Sequence, residues 1–387
     1  MFVRDVFKVI YSPIKAFKEI VKKPSIKGPL LIFLLVMLVS AGAQYISASK
    51  AVFEIGTPEG DEWTESTSLW TPEGISIDEV DKLLGNYSVT SSVTNDTRVW
   101  MRISGIGSFN SSADQGYTSL SFRIKWIHQD KSFPSSNATL QLFSGSENRY
   151  FTMNLMNLLN ASDTWANLTV TLGSSDQSWG QVNSPDWGNI TGLEFELAWL
   201  PSDTANLTMK IDDLYFGSNV IFLGTPRFTE WFVESLTMSA FRFFLGWSLY
   251  SVLLFVTIKL TGSQAGTWSV LFIVIGYTFS IIVVQILVDA ILVSTLPPLV
   301  FPLKAWNPIP GEEELANRLL DDIYQTGWGP TLAYNITLPL AFVFYAWAIV
   351  LSTIAISLLR EFTWKKAAGI SIAAYVIYIF VRGFLGI

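Results

Sequence analysis

Five long apolar runs punctuate the chain, and between the first and the second lies a long stretch in which apolar and polar residues alternate. The first run is Pro29 to about Ile46 (PLLIFLLVMLVSAGAQYI). The others are about Met238–Leu260, Trp268–Val293, Leu332–Leu359 and Ala367–Ile387. At about 1.5 Å of rise per helical residue, even the first can just cross a hydrocarbon core of roughly 30 Å. A cleaved signal peptide is the alternative for that first run, with Ala41-Gly42-Ala43 as its small-residue site. The basic lead before it is long for a signal and has a pattern of its own, which favours an uncleaved anchor.

That lead, within residues 1–28, is amphipathic. Phe2, Val6, Phe7, Val9, Ile10, Ile14, Phe17 and Val21 recur near helical spacing, and Arg4, Lys8, Lys15, Lys18 and Lys22 take most of the remaining surface. Ser12-Pro13 predicts a break between two short helices. Such a segment either lies in the membrane interface against anionic lipid or packs under the bundle as a positive-inside signal.

The alternating stretch occupies 48–228. Its strand-like runs are 119–128, 138–145, 149–155, 165–172, 190–200 and 205–217, with Gly, Ser, Asn and Asp between them. Short strands at this spacing predict a two-sheet sandwich. Asp78–Leu84 reads as a short helical turn. The remainder, 229–387, is predicted to hold four spans (about 238–260, 268–293, 332–359 and 367–387) with an outer loop at 294–331.

Composition agrees with a membrane protein. Half of the 387 residues are hydrophobic and 15% are charged, and the mean hydropathy is +0.38. The net charge of −7 hides a basic N-terminus on an acidic remainder, so nothing suggests a nucleic-acid partner. Lys259, Arg360, Lys365 and Lys366 fall in short connections, whereas the 294–331 loop carries Glu312, Glu313, Glu314, Asp321 and Asp322. The positive-inside rule then places the N-terminus in the cytoplasm and the large segment, the acidic loop and the C-terminus outside. Asn-x-Ser/Thr sequons supply an independent sign of the same orientation. They begin at Asn86, Asn95, Asn110, Asn137, Asn160, Asn167, Asn189, Asn206 and Asn335, and they predict N-linked glycans on the outward side. Their alternative is ordinary turn chemistry.

FEIGTPEGDEW (53–63), WGNITGLEFELAW (187–199) and KIDDLYFG (210–217) resemble galactose-binding-like jelly rolls, the group that includes carbohydrate-binding modules. The resemblance implies a last strand beside the first and a structural calcium. Carried onto this chain, its ligands would be Glu54, Asp212 and Asp213, with a capping role for the two aspartates as the alternative. Three further stretches, VIYSPIKAFKEIVKKPSIKGPLLIFLL (9–35), YSVLLFVTIKLTGSQAGTWSVLFIVIGY (250–277) and AWAIVLSTIAISLLREFTWKKAAGISIAAYVIYIFVRGFLG (346–386), resemble Yip-domain membrane proteins, the Ypt/Rab-interacting family. Eukaryotic members bind Rab-type GTPases. The large insert between spans one and two departs from that family and leaves a trafficking role without support. A prokaryotic-style Yip pattern with many sequons implies an archaeal surface protein in the plasma membrane. The expected fold is a five-helix transmembrane bundle with an all-β extracytoplasmic jelly roll inserted between its first two spans.

Candidate chemistry is sparse. The chain has no cysteine and one histidine, His128. It carries no HExxH, Walker A or GxGxxG element, so an enzyme is not expected. Trp179 and Trp187, in the loop-rich SSDQSWGQVNSPDWGN, are candidate platforms for sugar rings. Within the spans, Arg242, Gln285, Asp289 and Arg382 fall at similar depth and predict an intramembrane polar cluster with an Asp289–Arg242 or Asp289–Arg382 pair. The alternative is a polar transport path. These readings lead to a non-enzymatic surface protein whose partners are membrane lipid and a surface glycan or a neighbouring surface protein. Alternatives are a transporter or channel accessory and a structural subunit of a surface assembly.

Overall fold

A computed structural model describes residues 2–72, 74–112, 116–129, 137–262 and 267–384. The apolar runs form helices. After α1 (Phe2–Tyr11) and α2 (Pro13–Lys22) come α3 (Lys27–Ser49), α4 (Arg227–Leu260), α5 (Trp268–Thr278) and α6 (Ser280–Ser294). Then follow α7 (Leu303–Trp306), α8 (Glu313–Gly327), α9 (Leu332–Asn335), α10 (Thr337–Arg360) and α11 (Trp364–Phe384). Five helical stretches are long and apolar enough to cross a bilayer: α3, α4, α5 with α6, α9 with α10, and α11. Part of the junction between the second and third spans, 263–266, lies outside the described residues.

The chain folds into two compact units, a helical one (1–51, 221–299 and 323–387) and a second one (52–220 and 300–322). Within the helical unit, Leu34, Leu38, Phe241, Val252, Leu287, Phe342 and Phe380 lie exposed and give it an apolar periphery. Inside, Trp247 stacks on Phe272 at 4.2 Å and donates its indole N–H to the Phe272 carbonyl. A Cβ added at Gly28 would lie 2.0 Å from the Tyr277 ring, and one at Gly276 would lie 2.6 Å from Pro29. Glycine at both positions is what lets α3 and α5 approach so closely. The basic lead does form two helices broken at Ser12-Pro13. Val6, Val9, Ala16, Phe17 and Ile20 bury one face in the helical core, while Val3, Phe7, Tyr11 and Ile14 stay exposed.

The second unit is a two-sheet antiparallel sandwich. Its strands are β1 (Ala51–Thr57), β2 (Trp70–Thr71), β3 (Ser76–Asp78), β4 (Ser88–Asp96), β5 (Arg98–Phe109), β6 (Tyr117–His128), β7 (Asn137–Ser144), β8 (Tyr150–Asn154), β9 (Ala166–Thr171), β10 (Gly180–Val182), β11 (Ile190–Ala198), β12 (Ala205–Ile221) and β13 (Leu299–Phe301). One sheet runs β13-β1-β12-β4-β3, with β6 paired to β12 and β9 to β6. The other runs β10-β8-β7-β11-β5-β2. Alternation aims Val99, Met101 and Ile103 of β5, Leu140 and Leu142 of β7 and Leu193, Phe195 and Leu197 of β11 into one core. At about 25 cal/mol per Å2, burial of each such side chain stabilises by roughly 2 kcal/mol. The last long strand β12 does lie beside β1.

Three sequence readings change. Residues 79–84 form bends, not a helical turn, because Asp78 accepts the Val80 and Asp81 amides and Asp212 accepts those of Leu83 and Leu84. The segment 88–109, outside the strand-like runs, is two long strands. The region expected as an outer loop, 294–331, contributes its part 300–322 to the sandwich. There Phe301 stacks on Phe53 at 5.1 Å, and the Trp306 indole donates to the Glu54 carbonyl at 3.1 Å. Arg123 grips Glu312 through two 2.8 Å bonds.

Candidate functional site

Strand register builds a polar face on the six-stranded sheet, turned away from the core. Arg102 of β5 pairs with Glu194 of β11, which pairs on its other side with Gln141 of β7 and then, across β8, with Thr152. The neighbouring row is Trp100, Glu196, Thr139 and Asn154. Phe143 and Tyr150 form part of the row beyond, facing Gly192. Parity alone forces these residues to one side, since their neighbours along each strand are the core residues named above.

Charge pairs hold the face in shape. The Arg102 guanidinium donates to Glu194 at 2.8 and 2.6 Å and meets Glu147 at 2.6 Å. Arg98 meets Glu196 at 2.5 Å. Both guanidiniums lie 5.6 Å from the Trp100 ring centroid, and that of Arg102 lies 4.8 Å from the ring of Phe143. Burial works against the Arg102 charge, but bonds from Glu194 and Glu147 raise its pKa further above the ordinary value. The result is a half-buried indole bracketed by fixed donors and acceptors. Such an arrangement can stack on the apolar face of a sugar ring and hydrogen-bond its hydroxyls. Asn137, a predicted glycan acceptor, is exposed at the edge of this face opposite Ala198.

Trp179 and Trp187 do not serve as platforms. They are 6% and 7% exposed, and Trp187 stacks on Phe151 at 3.7 Å. Trp179 packs edge-on to Trp187 and donates its indole N–H to the Thr171 carbonyl at 2.8 Å. The polar loop around them is the rim, and the rings themselves close one end of the core. Trp126 and Trp199 are buried as well, 5.8 Å apart, with His128 beside Trp199.

The calcium trio does not converge. Glu54 accepts from Ser119 and, at 2.9 Å, from the Leu303 amide. Asp213 meets Arg123 at 3.4 Å. Asp212 accepts three backbone amides, from Leu83, Leu84 and Asp213. Among the described residues, no three acidic or histidine side chains are arranged to hold a metal ion. What faces Asp212 is the carboxyl of Asp61, which is 7% exposed and accepts the Thr64 hydroxyl. Burial and the neighbouring Asp212 carboxyl push the Asp61 pKa up to about 9, so Asp61 holds its proton at neutral pH.

Of the sequon asparagines, Asn86, Asn95, Asn110, Asn137, Asn160, Asn167, Asn206 and Asn335 are exposed, and Asn189 is half-buried. In the helical unit, Arg242, Gln285, Asp289 and Arg382 line one cavity of about 350 Å3. They meet as a cluster, but the expected ion pair is absent: among the described residues Asp289 lies within 4.0 Å of neither arginine's nitrogens. Arg382 engages the Tyr378 hydroxyl one turn earlier.

Among solved structures, the chain is similar to an exo-β-agarase at 13% identity and TM-score 0.32, over 42% of this chain and 24% of that one. It is similar to a carbohydrate-binding module of the β-sandwich superfamily at 15% identity and TM-score 0.25, over 44% and 57%. A xylan-binding domain of carbohydrate-binding family 22 is similar at 17% identity and TM-score 0.26, over 42% and 94%. The chain thus spans about a quarter of the agarase and just over half of the second protein. No protein-family model matches the chain, and no curated protein does. The resemblance of its helical part to Yip-domain proteins rests on the three quoted stretches alone.

Proposed function

We propose that this is a non-enzymatic, membrane-anchored binding protein that offers its sandwich to carbohydrate on the outer side of the plasma membrane. The observation that carries the reading is the Trp100 face. It sets an accessible indole, two arginines and two glutamates in fixed register on a sheet whose other side is a packed core. Five apolar helices with an apolar periphery support membrane anchoring. Basic inner connections and exposed sequons support the outward orientation of the sandwich.

Binding of the detergent-solubilised full chain to immobilised oligosaccharides tests this. Trp100→Ala should weaken binding at least about tenfold, the effect expected from losing one stacking aromatic of roughly 1.5 kcal/mol. It should leave the thermal midpoint nearly unchanged. Trp187→Ala should instead lower the midpoint, because it empties a core position. A chain that binds no oligosaccharide in any class, or binds equally well without Trp100, would remove the proposal.

A further inference from the structure

The basic lead carries more apolar surface than the helical core covers. Val6 and Val9 of α1 and Ala16, Phe17 and Ile20 of α2 are buried, while Phe7, Tyr11 and Ile14 are each more than half exposed. The lead is nevertheless fixed to the helical unit. α1 packs on α3, α5 and α6, and α2 packs on α5 and α10. Just before α3, the Ser25 carbonyl accepts the Tyr277 hydroxyl at 3.2 Å.

The faces follow one another in the same order round both helices. At about 100° per residue, α1 turns from its buried face, Val6 and Val9, to an exposed apolar stripe, Val3, Phe7 and Tyr11, and then to Arg4 and Lys8. α2 turns in the same sense from Ala16, Phe17 and Ile20 to Ile14, and then to Lys15, Lys18 and Lys22. A lead that served only as a positive charge signal would gain nothing from the middle face, whose exposure to water is unfavourable. Protein core, then apolar stripe, then cations is the sequence of surroundings met by a helix lying in the plane of a membrane interface.

The positive charge of the lead is largely unspent. Glu19 takes Arg4 at 3.3 Å and Lys8 at 2.6 Å. Lys15, Lys18, Lys22, Lys23 and Lys27 are exposed. Among the described residues, none of these five lies within 4.0 Å of a carboxylate oxygen. An apolar stripe bordered by free lysines is complementary to acyl chains under a negatively charged headgroup layer.

We propose that the lead is an in-plane anchor that selects anionic phospholipid. Phe7, Tyr11 and Ile14 enter the acyl boundary, and the five lysines meet the headgroups. The proposal rests on the membrane-anchored reading of the helical unit and is independent of carbohydrate binding by the sandwich.

The test uses the full chain, which has no cysteine of its own, so Tyr11→Cys accepts a single nitroxide label. The labelled protein is reconstituted into vesicles of dioleoyl phosphatidylcholine mixed with dioleoyl phosphatidylglycerol. The label should be more accessible to molecular oxygen than to a water-soluble nickel chelate. Native mass spectrometry of the unlabelled chain in neutral detergent micelles gives a second measurement, in which phosphatidylglycerol should be retained over phosphatidylcholine. Replacing Lys15, Lys18 and Lys22 together by glutamine should cut that preference at least about tenfold. Replacing the same three by arginine should preserve it, because the charge remains. A label that favours the chelate, in protein that has entered the vesicles, would overturn the proposal and leave the stripe to a soluble partner. Equal retention of the two lipids, or a preference that the three glutamines leave unchanged, would overturn it as well. A chain that does not enter vesicles at all would remove the anchoring reading together with this one.

Discussion

Glu312→Ala will destabilise the sandwich by about 3 kcal/mol, the cost of stranding one member of a buried ion pair. Arg123 is 4% exposed and spends two of its donors on Glu312. Only the longer 3.4 Å contact to Asp213 then remains. Burial already opposes the Arg123 charge, and Glu312 is the partner that keeps its pKa raised. For a unit of this size each kcal/mol moves the midpoint by about 2–4 °C, so calorimetry of the solubilised chain should show a drop of about 6–12 °C. Glu314→Ala is the control. Its partner Arg318 is exposed, and the change should stay within about 0.5 kcal/mol. An excised 52–220 fragment should be less stable than Glu312→Ala, since it lacks β13, Phe301 and Trp306 as well as Glu312. Equal midpoints for Glu312→Ala and Glu314→Ala would refute the role of the pair.

The second large effect is a loss of stability as pH rises. Asp61 keeps its proton in the folded state up to about pH 9, while in the unfolded chain it releases it near pH 4. The folded state therefore binds more protons across that interval, and its stability falls with pH by up to about 1.4 kcal/mol per unit. Asp213, pushed up to about 6 chiefly by burial, adds a slope of the same sign at lower pH. Asp78 acts oppositely. Its pKa is lowered to about 2, first by the Asp81 amide and then by Lys210. Its contribution is complete above about pH 4 and is lost only as acid approaches pH 2. The interval from about 6.5 to 8.5 therefore isolates Asp61, and the sandwich should lose about 2–3 kcal/mol across it. Asp61→Asn keeps the shape and can donate to Asp212 at every pH. This variant should flatten the slope and exceed the parent at pH 8.5. A parent midpoint that stays level over this interval would contradict a protonated Asp61.

Much of the sandwich was legible. Residues 119–128 alternate Leu120, Phe122, Ile124 and Trp126 inward, and the row turns polar only at its end, at His128. β4 escaped because an inward Ser91 stands between Val89 and Val93, and β5 because the outward Trp100 breaks the alternation and Gly105 and Gly107 at positive φ mimic loop. β13 is three residues between prolines, too short for any period to show. The Trp100 face was half legible. Parity within 190–200 places Glu194 and Glu196 together, but their meeting with Arg98, Trp100 and Arg102 depends on a strand whose alternation is hidden. Trp179 and Trp187 misled because local polarity describes the backbone's surroundings, whereas each indole reaches partners in other strands. The cluster lining the helical-unit cavity was legible for the opposite reason. Depth in a span follows from residue count alone, so Arg242, Gln285, Asp289 and Arg382 could be aligned. Their pairing could not be read, since that depends on how each helix is rotated about its axis.

The ion pair between Arg123 and Glu312 joins residues 189 positions apart. At roughly 5–20 residues per second of translation, Glu312 is made about 10–40 s after Arg123. For that interval the nascent sandwich holds a buried guanidinium without its main partner and a β1 edge without β13. Two apolar helical stretches, α4 and then α5 with α6, must be made before the missing piece exists. A ribosome halted anywhere in 221–299 therefore leaves an unclosed sandwich, and the order of synthesis ties completion of the domain to production of the helices that follow it.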